Sequence, residues 1–276
     1  MKPVLQFIRF KRKYLGAMFA NALVSRRPAA PEKVCFVTHK KTIDWILSAK
    51  CRKLSAEMDS ATEVVYTKDF RNLPHRQYYF FAHYKYFASS LRRNPHIWKS
   101  RKAVLFTHPS ITRSMGFDHI AWVLNKADIV ICLNRDIVKT LIKSGVDEAK
   151  IIIQHMAADP DMFQPHIRGT GKVGFCMAYY PRKNPDLLFE IVRRMPDEEF
   201  LLIGRDWHEY QKYSELMAMP NLTYYDNVSY ERYPELYDQI DILVSTSYLE
   251  GGPVPLLEAM LSNMIPVVSN TGFCSD

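Results

Sequence analysis

From residue 33 onward, short apolar runs rich in β-branched and aromatic residues alternate with longer stretches whose apolar positions recur every three to four residues. The runs predict strands at Lys33–Thr38, Glu63–Thr67, Gln77–Ala82 and Ala103–Thr107, then at 128–133 and 150–154. Between them, helical spacing covers Ile43–Met58, 84–92, 117–126 and 135–144. Residues 159–170, with Pro160, Pro165 and Gly169 among polar positions, read as a linker. The alternation then restarts. Strands are expected at Lys172–Met177, Phe200–Ile203, Leu222–Tyr225, Asp241–Ser245 and Ile265–Val268. Helices are expected at Pro185–Arg194, His208–Met217, Tyr233–Asp238 and Val254–Leu261. Two successive strand–helix series imply two doubly wound α/β units, each a parallel sheet covered by helices on both faces.

Ahead of the first strand the pattern differs. Val4, Ile8, Leu15, Met18, Phe19, Ala22 and Leu23 fall at roughly helical spacing, with bases between them. Residues 1–31 hold Lys2, Arg9, Lys11, Arg12, Lys13, Arg26 and Arg27 and no acid, which is seven of the formal net charge of +8. A nucleic-acid protein spreads its basic face over the fold, so charge confined to one segment argues against that partner. It suits a basic amphipathic helix on an anionic bilayer surface, or else a leader helix packed on the fold. A signal peptide is disfavoured, because five bases punctuate the first thirteen residues. Pro28 and Pro31 end the segment. The expected division is 1–31, a first unit over 32–165 and a second over 166–276.

The chain has 276 residues, 47% of them hydrophobic, enough for two modest cores. Its five cysteines (Cys35, Cys51, Cys132, Cys176, Cys274) form no C-x-x-C pair, and three lie in expected strands. That is the pattern of buried thiols in a reducing compartment, here taken as the cytoplasm, and not of a disulfide or zinc framework. No apolar run reaches membrane-spanning length.

The chemistry concentrates in DILVSTSYLEGGPVPLLEAMLSN, residues 241–263. A short buried strand leads into a turn at Glu250, Gly251 and Gly252. Pro253 and Pro255 then set the backbone for a helix, and Glu258 falls in its first turns, with seven residues between it and Glu250. The start of that helix offers unpaired N–H groups to a phosphate. Carboxylates beside a phosphate repel it, so these two are better placed to accept from vicinal hydroxyls of a sugar or ribose. A plain strand–helix turn with two solvated glutamates has the same spacing. On the same sheet edge, after strand 172–177, Arg182 and Lys183 can neutralise a diphosphate without a metal ion. Gly204, after the next strand, permits close approach of a ligand to the backbone. His108 ends strand Ala103–Thr107, His83 ends Gln77–Ala82, and His39-Lys40-Lys41 follows the first strand. Asp159-Pro160-Asp161 resembles a paired-aspartate metal motif but sits in the linker, where it reads as a turn and cap. No metal or other cofactor is expected.

The segment around Glu250 and Glu258 resembles the donor-sugar signature of the glycosyltransferases of the GT-B fold, specifically glycosyltransferase family 4. The resemblance runs from about residue 33 to the last residue and is strongest from 172. It implies two Rossmann-like domains and transfer of a sugar from a nucleotide-sugar donor to a hydroxyl acceptor with retention of anomeric configuration. By the same resemblance Glu250 holds donor-sugar hydroxyls and Glu258 the ribose. Arg182 and Lys183 bind the leaving diphosphate, Asn227 and Val228 meet the base through their backbone, and His108 stands on the acceptor side with His39, Lys40 and His83 as further candidates.

Two departures stand out. Family members often carry glycines in the loop after the first strand, whereas this loop carries bases. The chain also stops at Asp276 while the alternation is still running, so the second unit is expected to be incomplete. An active enzyme of this kind, acting on a lipid-linked or saccharide acceptor in cell-envelope glycan or lipopolysaccharide synthesis, is one reading. An inactive nucleotide-sugar-binding or scaffold protein, or a truncated fragment, is the alternative, with an epimerase or phosphorylase behind both.

Overall fold

The computed structural model describes residues 2–23, 33–43, 46–109 and 116–276. Arg26, Arg27, Pro28 and Pro31 lie outside them. The chain divides into two compact units, Met1–Gln154 and His155–Asp276.

The first unit opens with helix α1 (Lys2–Leu23) and continues β1 (Val34–His39), α2 (Ile46–Glu57), β2 (Thr62–Thr67), β3 (Tyr78–Phe81), α3 (Tyr84–Arg93), β4 (Arg101–Phe106), α4 (Phe117–Leu124), β5 (Ile129–Cys132), α5 (Arg135–Lys143) and β6 (Ile151–Ile153). Among the described residues its strands form one sheet in the order β2-β1-β3-β4-β5-β6. Every pairing in it is parallel. Val37, Phe81, Val104, Phe106 and Val130 from the strands meet Tyr84, Phe87, Leu91, Ile120, Leu124 and Leu141 from the helices in one core. Each such side chain contributes about 1.5–3 kcal/mol by leaving water.

α1 belongs to this core. Phe10, Tyr14 and Ala17 are buried. Phe10 and Tyr14 meet the Trp122 ring edge-on at 6.0 and 4.9 Å, and Phe10 lies 4.3 Å from the His119 ring. The N-terminal segment expected as a separate 1–31 region is thus, over the described part, a packed helix on α3 and α4. Phe10, Tyr14 and Ala17 recur every three to four residues and so lie on one face of the helix.

The second unit runs β7 (Val173–Cys176), α6 (Pro185–Arg194), β8 (Phe200–Gly204), α7 (Tyr213–Met217), β9 (Leu222–Asp226), α8 (Tyr233–Tyr237), β10 (Ile242–Ser245), α9 (Val254–Leu261) and β11 (Ile265–Val268). The sheet order is β11-β10-β7-β8-β9, again all parallel. The division between the units lies after Gln154 and not at 165/166. The proline-rich stretch is part of the second unit because Phe163 is sunk in its core beside Leu236, Tyr237 and Ile240. The Asp241 carboxylate holds the stretch's end, accepting from the amides of Gly169 (3.0 Å) and Gly171 (2.7 Å). Asp159 caps its own turn, accepting from the Asp161 amide at 3.1 Å.

One expected helix is broken. Instead of a single helix over His208–Met217, a 3₁₀ turn at Trp207–Glu209 precedes the shorter α7. Tyr210 leaves helical backbone, with φ −74° and ψ 132°. Its ring is thereby buried against Trp207, and its hydroxyl donates to Asp186 at 2.8 Å. Tertiary burial of an aromatic outweighs local propensity here.

Replacing Tyr14, 2% exposed, by alanine is expected to cost the first unit about 3 kcal/mol in chemical denaturation. A leader that merely trails from the fold would show no loss.

Candidate active site in the second unit

In an open parallel sheet, ligands bind beyond the carboxyl ends of the strands, at the point where strand order reverses and adjacent loops part to opposite faces. In the second unit that point lies between β7 and β10, the neighbours whose successors β8 and β11 lie on opposite sides. The loop after β7 carries Arg182 and Lys183. The loop after β10 carries Glu250. The sequence elements expected to share an edge therefore share its most open position.

The two loops are stitched by backbone. The Tyr248 amide donates to the Arg182 carbonyl at 2.8 Å, and Thr246 Oγ1 donates to the Lys183 carbonyl at 2.7 Å. Asn184 turns the first loop into α6. It adopts left-handed backbone (φ 54°, ψ 60°), its side chain accepts from the Leu187 amide, and Pro185 begins the helix.

This stitching brings three charges together. Arg182 Nη1 lies 3.0 Å from Glu250 Oε2 and also donates to the Leu249 carbonyl at 3.0 Å. Lys183 Nζ lies 2.5 Å from Glu250 Oε1, which also accepts from Ser247 Oγ at 2.6 Å. Glu250 is only 6% exposed. Burial pushes its carboxyl upward, but Lys183 and then Arg182 outweigh that, and the group lies below the ordinary glutamate range. Glu250 is neither solvated nor separate from the cations. The cluster carries two positive charges and one negative, a net positive site inside a buried turn. A third loop closes it. The Glu250 amide donates to Thr271 Oγ1 at 3.1 Å, and Gly272 (φ +70°) passes so close that a Cβ there would lie 3.0 Å from Glu250 Cβ. Behind the turn, α9 starts at Val254 with no side chain capping its first turn; Pro255 carries no N–H, and the Leu256 amide donates to the Pro253 carbonyl at 3.0 Å.

Glu258, the second carboxylate, is 1% exposed. Tyr230 Oη donates to its Oε1 at 2.5 Å and Tyr237 Oη to its Oε2 at 3.1 Å. Burial first and the Glu258 charge second raise the Tyr230 phenol above its ordinary range, so it remains a donor. The buried Tyr237 phenol is raised as well.

Gly204 has a local reason to be glycine. A Cβ there would lie 2.0 Å from the Met177 carbonyl oxygen and 3.2 Å from Trp207 Nε1. The Met177 carbonyl already accepts from that indole at 2.9 Å. The close approach seen here is between two loops of the domain. Asn227 takes positive φ (49°), and its amide donates to the Gly204 carbonyl at 2.7 Å. A base reaching this loop would meet the Asn227 carbonyl or Val228, not that amide. Gly251 and Gly252 lie in the turn between Glu250 and α9.

In the first unit the strand order reverses between β1 and β3. His39 is the last residue of β1, one position earlier than a loop residue, and its Nδ1 accepts from the Lys41 amide at 3.0 Å. His83 follows β3 and caps α3, accepting from the Lys85 amide at 3.1 Å. Burial, and then the proximity of His108, push His83 down to about 3, so its ring is neutral. The rings of His39 and His83 flank Tyr86 at 5.9 and 5.3 Å. His108 lies beyond β4, its Nδ1 3.3 Å from the Pro109 carbonyl, so that nitrogen carries the proton. The histidines thus stand at the ends of three adjacent strands. Lys40 opens a 3₁₀ turn beside them.

Residues 160–276 match the family model for glycosyl transferases group 1. The second unit is a group 1 glycosyltransferase domain. Solved structures share the fold of both units, which is GT-B. HepE of Anabaena, solved in complex with UDP and glucose, superposes with a TM-score of 0.63 at 14% identity, over 87% of this chain and 81% of that one. Sucrose-phosphate synthase of Thermosynechococcus elongatus gives 0.68 at 12% identity, over 87% and 82%. WaaG, a glycosyltransferase involved in lipopolysaccharide biosynthesis, gives 0.58 at 13% identity, over 88% and 82%. No curated protein matches the chain in sequence.

Several members of the group 1 glycosyltransferase domain's site were not singled out from sequence. Ser247 precedes Glu250 by three residues, a side-chain spacing that could have been noticed. Asn184 carried a signal too, since Asn before Pro suits a left-handed cap. Thr271, Gly272, Tyr230 and Tyr237 carried none, because only the packing of distant loops brings them to the carboxylates.

Gly204→Ala in this domain is expected to lower stability by about 3 kcal/mol, read by thermal or chemical unfolding, because the added methyl meets a fixed carbonyl and not a flexible side chain. A neutral result would mean that the loops part easily.

Proposed function

We propose that the chain is a retaining, metal-independent glycosyltransferase that moves a hexose from a nucleotide-sugar donor to a hydroxyl acceptor. The observation that carries this is the Arg182–Lys183–Glu250 cluster at the switch point of the domain that matches the group 1 family. A nucleoside diphosphate entering the site would draw Arg182 and Lys183 from Glu250, exchanging one anionic partner for another of higher charge. The released carboxylate would then accept from donor-sugar hydroxyls. As the glycosidic bond to the diphosphate breaks, negative charge grows on the leaving oxygen. The two cations and the positive end of the α9 dipole would stabilise it without moving far, the preorganised arrangement that lowers such barriers most. The oxocarbenium-like sugar left behind would be met, on the face the diphosphate leaves, by the acceptor hydroxyl, whose proton would pass to the departing diphosphate oxygen, with His108, His39, Lys40 and His83 on the acceptor side. Gly251 and Gly252 would let the diphosphate approach the turn, and Glu258 would receive the ribose. A binder without turnover would keep the same cation cluster, so release of product separates the two readings.

The cell-envelope reading draws support from WaaG, whose work is in lipopolysaccharide biosynthesis. It also draws on the outward face of α1, where Ile8, Leu15, Met18 and Phe19 are exposed among Arg9, Arg12 and Lys13. With Phe10 and Tyr14 holding the opposite face to the unit, this stripe suits the surface of an anionic bilayer on the cytoplasmic side. Among the described residues no helix is long and apolar enough to cross a membrane.

Glu250→Gln is expected to lower sugar transfer about a hundredfold or more while nucleoside diphosphate affinity holds or tightens, since the competing charge is gone. Wild-type turnover would remove the carboxylate from the mechanism. Lys183→Ala is expected to weaken nucleoside diphosphate binding about tenfold or more by calorimetry. Phe19→Glu, which leaves the buried face of α1 intact, is expected to abolish sedimentation with phosphatidylglycerol vesicles. Undiminished binding would place any membrane contact elsewhere.

A further inference from the structure

Glu258 is the carboxylate proposed to receive the donor ribose, and the role of its neighbour Tyr230 rests on that reading. In the structure this carboxylate is closed off. It is 1% exposed, and each oxygen holds a phenol. The two phenols are not equivalent. Tyr237 is 0% exposed, lies on α8 within the core beside Phe163 and Ile240, and has no room to leave. Tyr230 is half-buried and opens a single 3₁₀ turn, Tyr230–Arg232. It directly follows the Asn227–Ser229 loop, which bends through a positive φ at Asn227. Its ring rests on Phe163 (6.0 Å) and Tyr233 (5.3 Å) without being enclosed by them. Its hydroxyl donates to Glu258 Oε1 at 2.5 Å.

We propose that Tyr230 is a stand-in for the donor ribose: its hydroxyl caps Glu258 Oε1 before the donor binds and withdraws when the vicinal hydroxyls of a nucleoside diphosphate arrive. The physical need is plain. A carboxylate sealed from water with an oxygen unpartnered is costly, so a ribose subsite at this depth needs a resident donor of hydrogen bonds. Tyr237 is the permanent donor and orients the carboxylate. Tyr230 is the exchangeable one. Because it bonds Glu258 only before the nucleotide binds, it lowers nucleotide affinity by the strength of that bond. A ligand shifts such an equilibrium only by its differential affinity for the two states. The ribose must outbid the phenol with two hydroxyls against one. The exchange therefore discriminates a vicinal diol from a sugar that lacks it.

The test is calorimetric binding of UDP, GDP and ADP to the full chain. It continues with the tightest of the three beside its 2′,3′-dideoxy counterpart, on wild type, Tyr230→Phe and Glu258→Gln. Tyr230→Phe removes one hydroxyl from a half-exposed position, and retained thermal unfolding checks that it folds. It is expected to bind the ribonucleotide about tenfold tighter, with the dideoxy compound gaining much less. Weaker or unchanged ribonucleotide binding by Tyr230→Phe overturns the stand-in role. So does an equal gain for both compounds, which would mean that the phenol blocks the pocket by bulk. Glu258→Gln is expected to lose the preference for the ribonucleotide over the dideoxy compound. If it keeps that preference, the assignment of ribose to Glu258 fails and the stand-in role falls with it. If no nucleotide binds wild type or Tyr230→Phe, the donor reading itself fails.

Discussion

The second domain is arranged around one ionic contact, a buried glutamate held between an arginine and a lysine from a neighbouring loop. Breaking a buried pair by removing one partner costs about 3–5 kcal/mol, far more than an exposed ion pair is worth. Such a contact persists only when the backbones on both sides are fixed. The bonds from Tyr248 and Thr246 to the Arg182–Lys183 loop, the left-handed Asn184 and the close passage of Gly272 all serve that fixation. The parallel sheet supplies the frame, since only at the carboxyl end of adjacent β7 and β10 do two such loops diverge from one point.

A cluster of two cations and one anion holds itself together and still carries net positive charge. Glu258 applies the same economy with neutral partners. Its charge is met by phenol donors in place of cations. Both buried carboxylates thus have hydrogen-bonding partners on each oxygen, cations and a hydroxyl for Glu250 and phenols for Glu258.

The first unit gathers histidines at one sheet edge. His39, His83 and His108 stand at the ends of neighbouring strands, and two of them spend a ring nitrogen on the turn that comes next. Their shared edge follows from the order β1-β3-β4. α1 completes the unit, and its two faces do different work: Phe10 and Tyr14 bind it to Trp122 and His119, while its outward stripe mixes apolar and basic side chains.

Strand–helix alternation by itself determined two parallel α/β units, and nearly every strand stands within two residues of its expected place. Period and β-branching are local properties that a buried parallel strand imposes on its own residues. The Glu250–Glu258 spacing and the Arg182–Lys183 pair were legible for the same reason, since each lies within one loop or one turn. What the sequence could not state is which loops meet. That Glu250 grips both cations, that Gly204 spares a carbonyl, that Tyr210 breaks a helix to reach Asp186 and that Tyr230 and Tyr237 seal Glu258 all depend on contacts between segments twenty or more residues apart. So does the packing of α1, which buries Phe10, Tyr14 and Ala17 and leaves Ile8, Leu15, Met18 and Phe19, positions its spacing had singled out, exposed. Only the folded chain decided it, because burial is a property of the neighbours a residue acquires and not of the residue.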